Sequence, residues 1–130
     1  MMILHRVIQP DLFTATTVDH ELFVETIHHM FELNGYRVER APNHSGFQMI
    51  IHKGREHSLV RCKSWAPMRP IDMEDMVIFH AHMKNLDLDS GWFICMSDFE
   101  FSAHKFAIEN RIVPVNRNDL QKILEESNML

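Results

Sequence analysis

At 130 residues, 45% of them apolar and 24% charged, the chain has the size and balance of one ordinary globular domain with a real core. Its net charge of −5 excludes a protein that holds nucleic acid by bulk electrostatics, so any such contact must be local. No run approaches the roughly eighteen apolar residues of a membrane span. The opening MMILHRVIQPDLF makes a poor signal peptide, which gives an expectation of a cytoplasmic protein with no membrane contact.

Residues 1–18 read as an N-terminal arm or short edge strand, with a role in dimerisation, ahead of a single domain over 19–127. Thr17 and Asp19 are N-cap candidates for a helix running to about Asn34. In it Leu22, Phe23, Ile27, Met30 and Phe31 form one apolar stripe, and Asn34–Gly35 gives a left-handed stop. Tyr36–Arg40 is a short strand. Phe47–Ile51 and Ser58–Cys62 then form a β-hairpin around a loop of four to six residues within His52–His57. On its second strand, period-two geometry puts Arg61 and Lys63 on one face and Val60 and Cys62 on the other. Two cations in the middle of a central hairpin need a reason.

Trp65–Pro70 is not helical, because of Pro67 and Pro70. Ile71–Leu88 resumes a helical pattern with Ile71, Met73, Met76, Val77, His80 and Met83 roughly on one side. Gly91–Ser97 is a continuous apolar run, as in a strand buried on both faces. Ser97 and Glu100 have capping-box spacing and open a helix to Glu109, whose inner face is Phe99, Ala103, Phe106 and Ala107. Ile112–Val115 is a last short strand and Asn116–Ser127 a final amphipathic helix. The order α-β-β-β-α-β-α-β-α predicts an α/β fold: a mixed β-sheet of about five strands flanked by helices. Cys62 and Cys95, each inside an apolar run, read as buried free thiols with no disulfide framework.

Five stretches in this order resemble the restriction-endonuclease-like superfamily, in its Mrr-type catalytic branch. They are ELFVETIHHMFELNGYRVE, GFQMII, LVRCK, FEFSAHKFA and IVPVNRNDLQKIL, and together they cover about Asp19 to Leu124. The resemblance implies Mg²⁺-dependent hydrolysis of a DNA phosphodiester, with an Asp and a Glu or Gln on the hairpin holding the metal and a Lys activating water. Lys63 matches the family's Lys. Gln48 stands where the metal-binding Asp is expected, and Arg61 where the Glu or Gln is expected. The opening-helix carboxylate of many members falls near Val24, with Glu21 and Glu25 as neighbouring substitutes. A neutral amide is a weak Mg²⁺ ligand, and a nearby guanidinium repels the ion. The implied catalytic positions are therefore Lys63, Gln48 and Arg61, in a degenerate state, with Glu21 and Glu25 behind them. No cofactor is expected unless the site is active, in which case it takes Mg²⁺.

Ten histidines invite a zinc reading, but neither His28/His29 nor His80/His82 has the i,i+4 spacing of a helical metal pair. His44, His52 and His57 bracket the hairpin, and their convergence with Glu21 or Glu25 would build a different metal site, with His44 and Glu25 as its first candidates. Structural histidines are the other reading. Three functions are left open: an inactive nuclease-fold module bound to DNA or a partner, an active endonuclease with a rearranged site around Lys63, and a protein-interaction module such as a homodimer.

Overall fold

The computed structural model describes residues 19–64 and 69–130. The arm over 1–18, with Thr17 and the proposed dimerisation role, and Trp65–Met68 lie outside the described residues. Helix α1 (His20–Leu33) starts where the Asp19 carboxylate accepts from the backbone of Glu21 and Leu22. It stops in a Schellman arrangement: Gly35 N–H donates to Glu32 and Tyr36 N–H to Phe31, with Gly35 at φ +91°.

Strand β1 (Arg37–Arg40) leads through a loop to β2 (Met49–Lys53) and β3 (Glu56–Lys63). The hairpin is tighter than expected. Lys53 pairs with Glu56, leaving a two-residue turn with Gly54 at φ +60° in its first position, as in a type II′ turn. The polar residues His52, Lys53, Glu56 and His57 were expected in the loop. They stay in the ladder because backbone pairing continues while their side chains reach the end of the sheet.

Helix α2 (Met73–Asn85), strand β4 (Ser90–Cys95), helix α3 (Phe101–Glu109), strand β5 (Ile112–Val115) and helix α4 (Arg117–Glu126) follow. Two helix starts differ from expectation. Ile71 does not begin α2; it forms a single parallel bridge with Phe99, and Asp72 is the cap. The buried stripe of α2 is Met76, Phe79 and Met83, while Met73 and Val77 are exposed, because Phe79 sets the phase. Nor does Ser97 cap α3: that helix begins at Phe101 behind Glu100, which makes no side-chain cap. The bridge with Ile71 holds Phe99 extended, so the turn cannot close earlier. Capping boxes occur instead at Asp72/Asp75 and Asn116/Asp119.

The sheet order is β1-β2-β3-β4-β5, with antiparallel β1–β2–β3 and parallel β3–β4–β5. Because the order advances in one direction, right-handed crossovers place α2 and α3 on the same face. Leu59, Phe93, Cys95 and Ile112 pack there against Met76, Phe79, Met83, Ala103 and Ala107. On the other face Met49, Ile51, Val60, Cys62 and Ile94 meet Phe23, Ile27 and Phe31 of α1 and Leu120 and Leu124 of α4. Strand β4 thus buries side chains on both faces. Among the described residues no helix is long and apolar enough to cross a membrane.

Candidate functional site

Along β3 the alternation sends Leu59, Arg61 and Lys63 towards α2, and Val60 and Cys62 towards α1. Near Leu59 that face is covered by apolar side chains. At Lys63 it meets the first turn of α2 instead, so the strand's C-terminal end is polar. Lys63 Nζ lies 3.0 Å from Asp75 Oδ1, with side chains only 11% and 14% exposed, so the pair is largely shielded from solvent.

Asp75 is held from three sides. Its Oδ2 accepts from the Asp72 backbone N–H at 3.0 Å, closing the capping box, and Arg69 Nη2 donates to both oxygens at 3.3 and 3.2 Å. Burial pushes the Asp75 carboxyl pKa up. The Asp72 N–H and the bonds from Lys63 and Arg69 outweigh that and bring it down to about 2. The neighbouring cavity, about 210 Å³, is lined by Arg61, Lys63, Asp75, His82, Gly46 and Phe93, among others. Burial lowers the Arg61 pKa, against the pull of Cys62 and Asp75. The loop passes close above: a Cβ on Gly46 would sit 2.9 Å from His82 Nε2, and the φ of +88° there also favours glycine.

Gln48 is turned to another use. Its backbone N–H donates to Val60 O at 2.9 Å, and its side-chain Oε1 accepts from the Cys62 N–H at 2.6 Å. The amide therefore continues the β2–β3 ladder one residue beyond the strand. Gln48 borders a separate cavity of about 310 Å³ with His20, Glu21, Val24, Arg40 and His44. His20 Nδ1 lies 2.9 Å from Ser64 Oγ there; burial lowers its pKa, against Glu21 and Asp19.

The residues singled out in the sequence are thus divided. Arg61 and Lys63 share one cavity, and Gln48, Glu21 and His44 share another. Val24 is buried in the core. Glu25 is on the surface, 3.5 Å from Arg40 Nη1. His44 does not join His52 and His57, which face each other at the turn end of the hairpin. Sequence reasoning missed Asp75 and Arg69. The Asp72-x-x-Asp75 spacing after Pro70 marks the helix cap, but only the packing of α2 on β3 shows that the capping carboxylate also meets Lys63.

A hard divalent cation needs accessible carboxylate oxygens. The carboxylate beside Lys63 already accepts from two cations and a backbone N–H, the Gln48 oxygen is bonded into the sheet, and a guanidinium lines the cavity. Among the described residues no three His, Cys, Asp or Glu side chains group as metal ligands. These residues do not fit Mg²⁺.

The sequence matches the family model of the Mrr catalytic domain, a restriction endonuclease domain, over residues 15–124. No curated protein matches it. Among solved structures it is similar to AF1548, a protein of unknown function, with a TM-score of 0.69 and 12% identity over 90% of this chain and 66% of that one. It is similar to the DNA modification-dependent restriction endonuclease AspBHI, with a TM-score of 0.69 and 10% identity over 98% of this chain and 35% of that one. The restriction endonuclease MspJI, in complex with a 27-mer oligonucleotide, gives 0.58 and 13% over 95% of this chain and 29% of that one. At such identities the likeness is one of fold, and the chain spans between about a third and two thirds of these proteins' lengths. Enzymes with this domain are typically Mg²⁺-dependent. The match covers most of the chain, and the sheet and helices stand in the order the resemblance implies: the chain belongs to the Mrr-type restriction endonuclease family.

Proposed function

We propose that this chain is a nuclease-fold module that contacts DNA without hydrolysing it, through a local cationic site at the C-terminal end of β3. The observation that carries the reading is the use of Gln48. At the position the resemblance assigns to the metal-binding Asp, the Gln48 side-chain oxygen is bonded to the Cys62 N–H, and Arg61 stands at the position the resemblance assigns to the second ligand. Among the described residues, Arg61, Lys63 and Arg69 gather at this end of β3 beside Asp72 and Asp75, on a chain whose overall charge is −5. Charge-assisted bonds from a guanidinium suit a phosphate oxygen. A site this small meets two or three phosphates, so the logarithm of affinity should fall with that of salt at a slope of about −2 to −3.

A second reading, a rearranged hydrolase, is favoured by one observation: α2 supplies a carboxylate 3.0 Å from the family's Lys. For that chemistry Asp75 has to exchange its cationic partners for a metal. Plasmid nicking with Mg²⁺ and Mn²⁺, run beside fluorescence binding to duplex DNA, decides between the two. Salt-sensitive binding without nicking, weakened in Arg61→Ala and Lys63→Ala, supports the binding module. Nicking that disappears in both Lys63→Ala and Asp75→Ala sinks it in favour of the hydrolase. Neither activity would point to a fold kept for protein contacts, in a heteromeric complex or a homodimer.

A further inference from the structure

We propose that His52 and His57 form a surface site for a divalent transition ion of the copper(II) or nickel(II) type. The two residues are register partners across the hairpin, so the backbone ladder fixes their spacing. Their Nδ1 atoms face each other at 2.8 Å. In the metal-free protein that distance is a hydrogen bond between rings that stand nearly end to end, their centroids 5.0 Å apart. A turn of both rings brings the two Nδ1 lone pairs onto one ion at about 2.0 Å and about 2.8 Å from each other, the cis spacing of a tetragonal site. Imidazole nitrogen is the donor that copper and nickel favour.

A second observation concerns the outer nitrogen. His52 Nε2 lies 3.1 Å from Glu39 Oε1, the carboxylate–imidazole arrangement that orients metal-binding histidines. With its proton on Nε2 towards Glu39, His52 presents a lone pair at Nδ1. His57 then donates its Nδ1 proton across the gap in the metal-free protein. Binding an ion moves that proton to His57 Nε2 and releases none. His57 is exposed, so water completes the coordination sphere. Arg37, the register partner of His52, and Arg55 in the turn are exposed cations that weaken the site without blocking it. His57 precedes Arg61 by four strand residues, roughly 13 Å, which keeps this site apart from the proposed phosphate contact.

The test is titration of the full chain with copper(II) and nickel(II) at neutral pH, read by bound metal, by the thermal unfolding midpoint and by copper electron paramagnetic resonance. The expected result is one ion per chain, a raised midpoint, and copper hyperfine splitting from two imidazole nitrogens. Affinity should fall at least tenfold in His52→Ala and in His57→Ala, about tenfold in Glu39→Gln, and not at all in His104→Ala, a control for the other histidines. His57 lies at the surface, so its removal leaves the fold intact, which circular dichroism verifies. Binding unchanged in His57→Ala, or a copper spectrum showing a single nitrogen, would overturn the proposal.

Discussion

Asp75 does two jobs at once, closing the cap of α2 and answering the charge of Lys63, and its titration links both to pH. An unfolded Asp ionises near the ordinary value of 3.8; in the fold the carboxyl is held at about 2. The folded state therefore favours the carboxylate. Its contribution is complete above about pH 4 and disappears as pH falls from 4 towards 2. Asp75→Asn should lower stability near neutral pH by roughly 1–2 kcal/mol, through the lost charge partner and the weakened cap. Urea unfolding between pH 5 and pH 2 should then show a shallower acid loss in the variant than in wild type. Equal acid slopes would mean that Asp75 is not the group responsible. Tyr36, the only tyrosine, behaves in the opposite sense. Burial, then its hydrogen bond to Glu56, pushes its hydroxyl up to about 12. An ultraviolet titration should show no phenolate near pH 10 while the protein is folded. Stability should drain away between pH 10 and 12, because the unfolded chain ionises first.

At the scale of elements, the strands and helices were legible because periodicity reports burial directly, and the alternation along β3 correctly separated Arg61 and Lys63 from Val60 and Cys62. What the pattern did not show was where long-range packing overrides local signals. Ser97 and Glu100 have cap spacing, yet the bridge from Ile71 to Phe99 keeps that backbone extended. Polar residues at the hairpin tip suggested a longer loop, yet their backbone remains paired up to the Gly54 turn. Of the candidate site, Lys63, Arg61 and Gln48 were singled out from the resemblance, whereas Asp75, twelve residues beyond Lys63, comes beside it only because α2 docks on β3. That docking has a tight point. A Cβ on the buried Gly91 would lie 2.7 Å from Phe79 Cε2 and 3.0 Å from Met83 Sδ. Gly91→Ala should therefore cost about 1–3 kcal/mol by prising α2 from β4, measurable as a lowered denaturant midpoint. Beyond the core contacts of Met49, Ile51, Val60 and Cys62 with α1, the tip of the hairpin is tied to the end of that helix by Lys53, which donates to Asn34 O at 2.8 Å and sits 5.0 Å from the centre of the Tyr36 ring.

For the molecule as a whole, the two faces of the sheet hold the two thiols. Cys62 is fully covered on the α1 side and Cys95 on the α2 side. Burial pushes both thiols up, to about 12 and about 11, against opposing pulls from Arg61 at Cys62 and from Ser97 at Cys95. Neither should react with a thiol reagent in the native protein, and both should react together on unfolding, so labelling rate reports global opening. Biphasic labelling would show that the two faces open separately. The sheet edges are also defended. β1 is four residues long and carries exposed Arg37, Glu39 and Arg40, and β5 contains Pro114, which has no N–H to offer a further strand.

The strand order β1-β2-β3-β4-β5 has one more consequence. Every strand pairs with the one made just before it, so no strand has to be threaded between two that are already in place. A chain emerging from the ribosome can lay the sheet down as it is synthesised, with the hairpin closing first through its two-residue turn and each later crossover adding one strand at the open edge. Until β4 arrives, that open edge is β3, and the strand that must find it, Ser90–Cys95, is among the most apolar stretches of the chain. The moment of greatest hazard during synthesis is thus set by the 26 residues, 64–89, that separate β3 from β4.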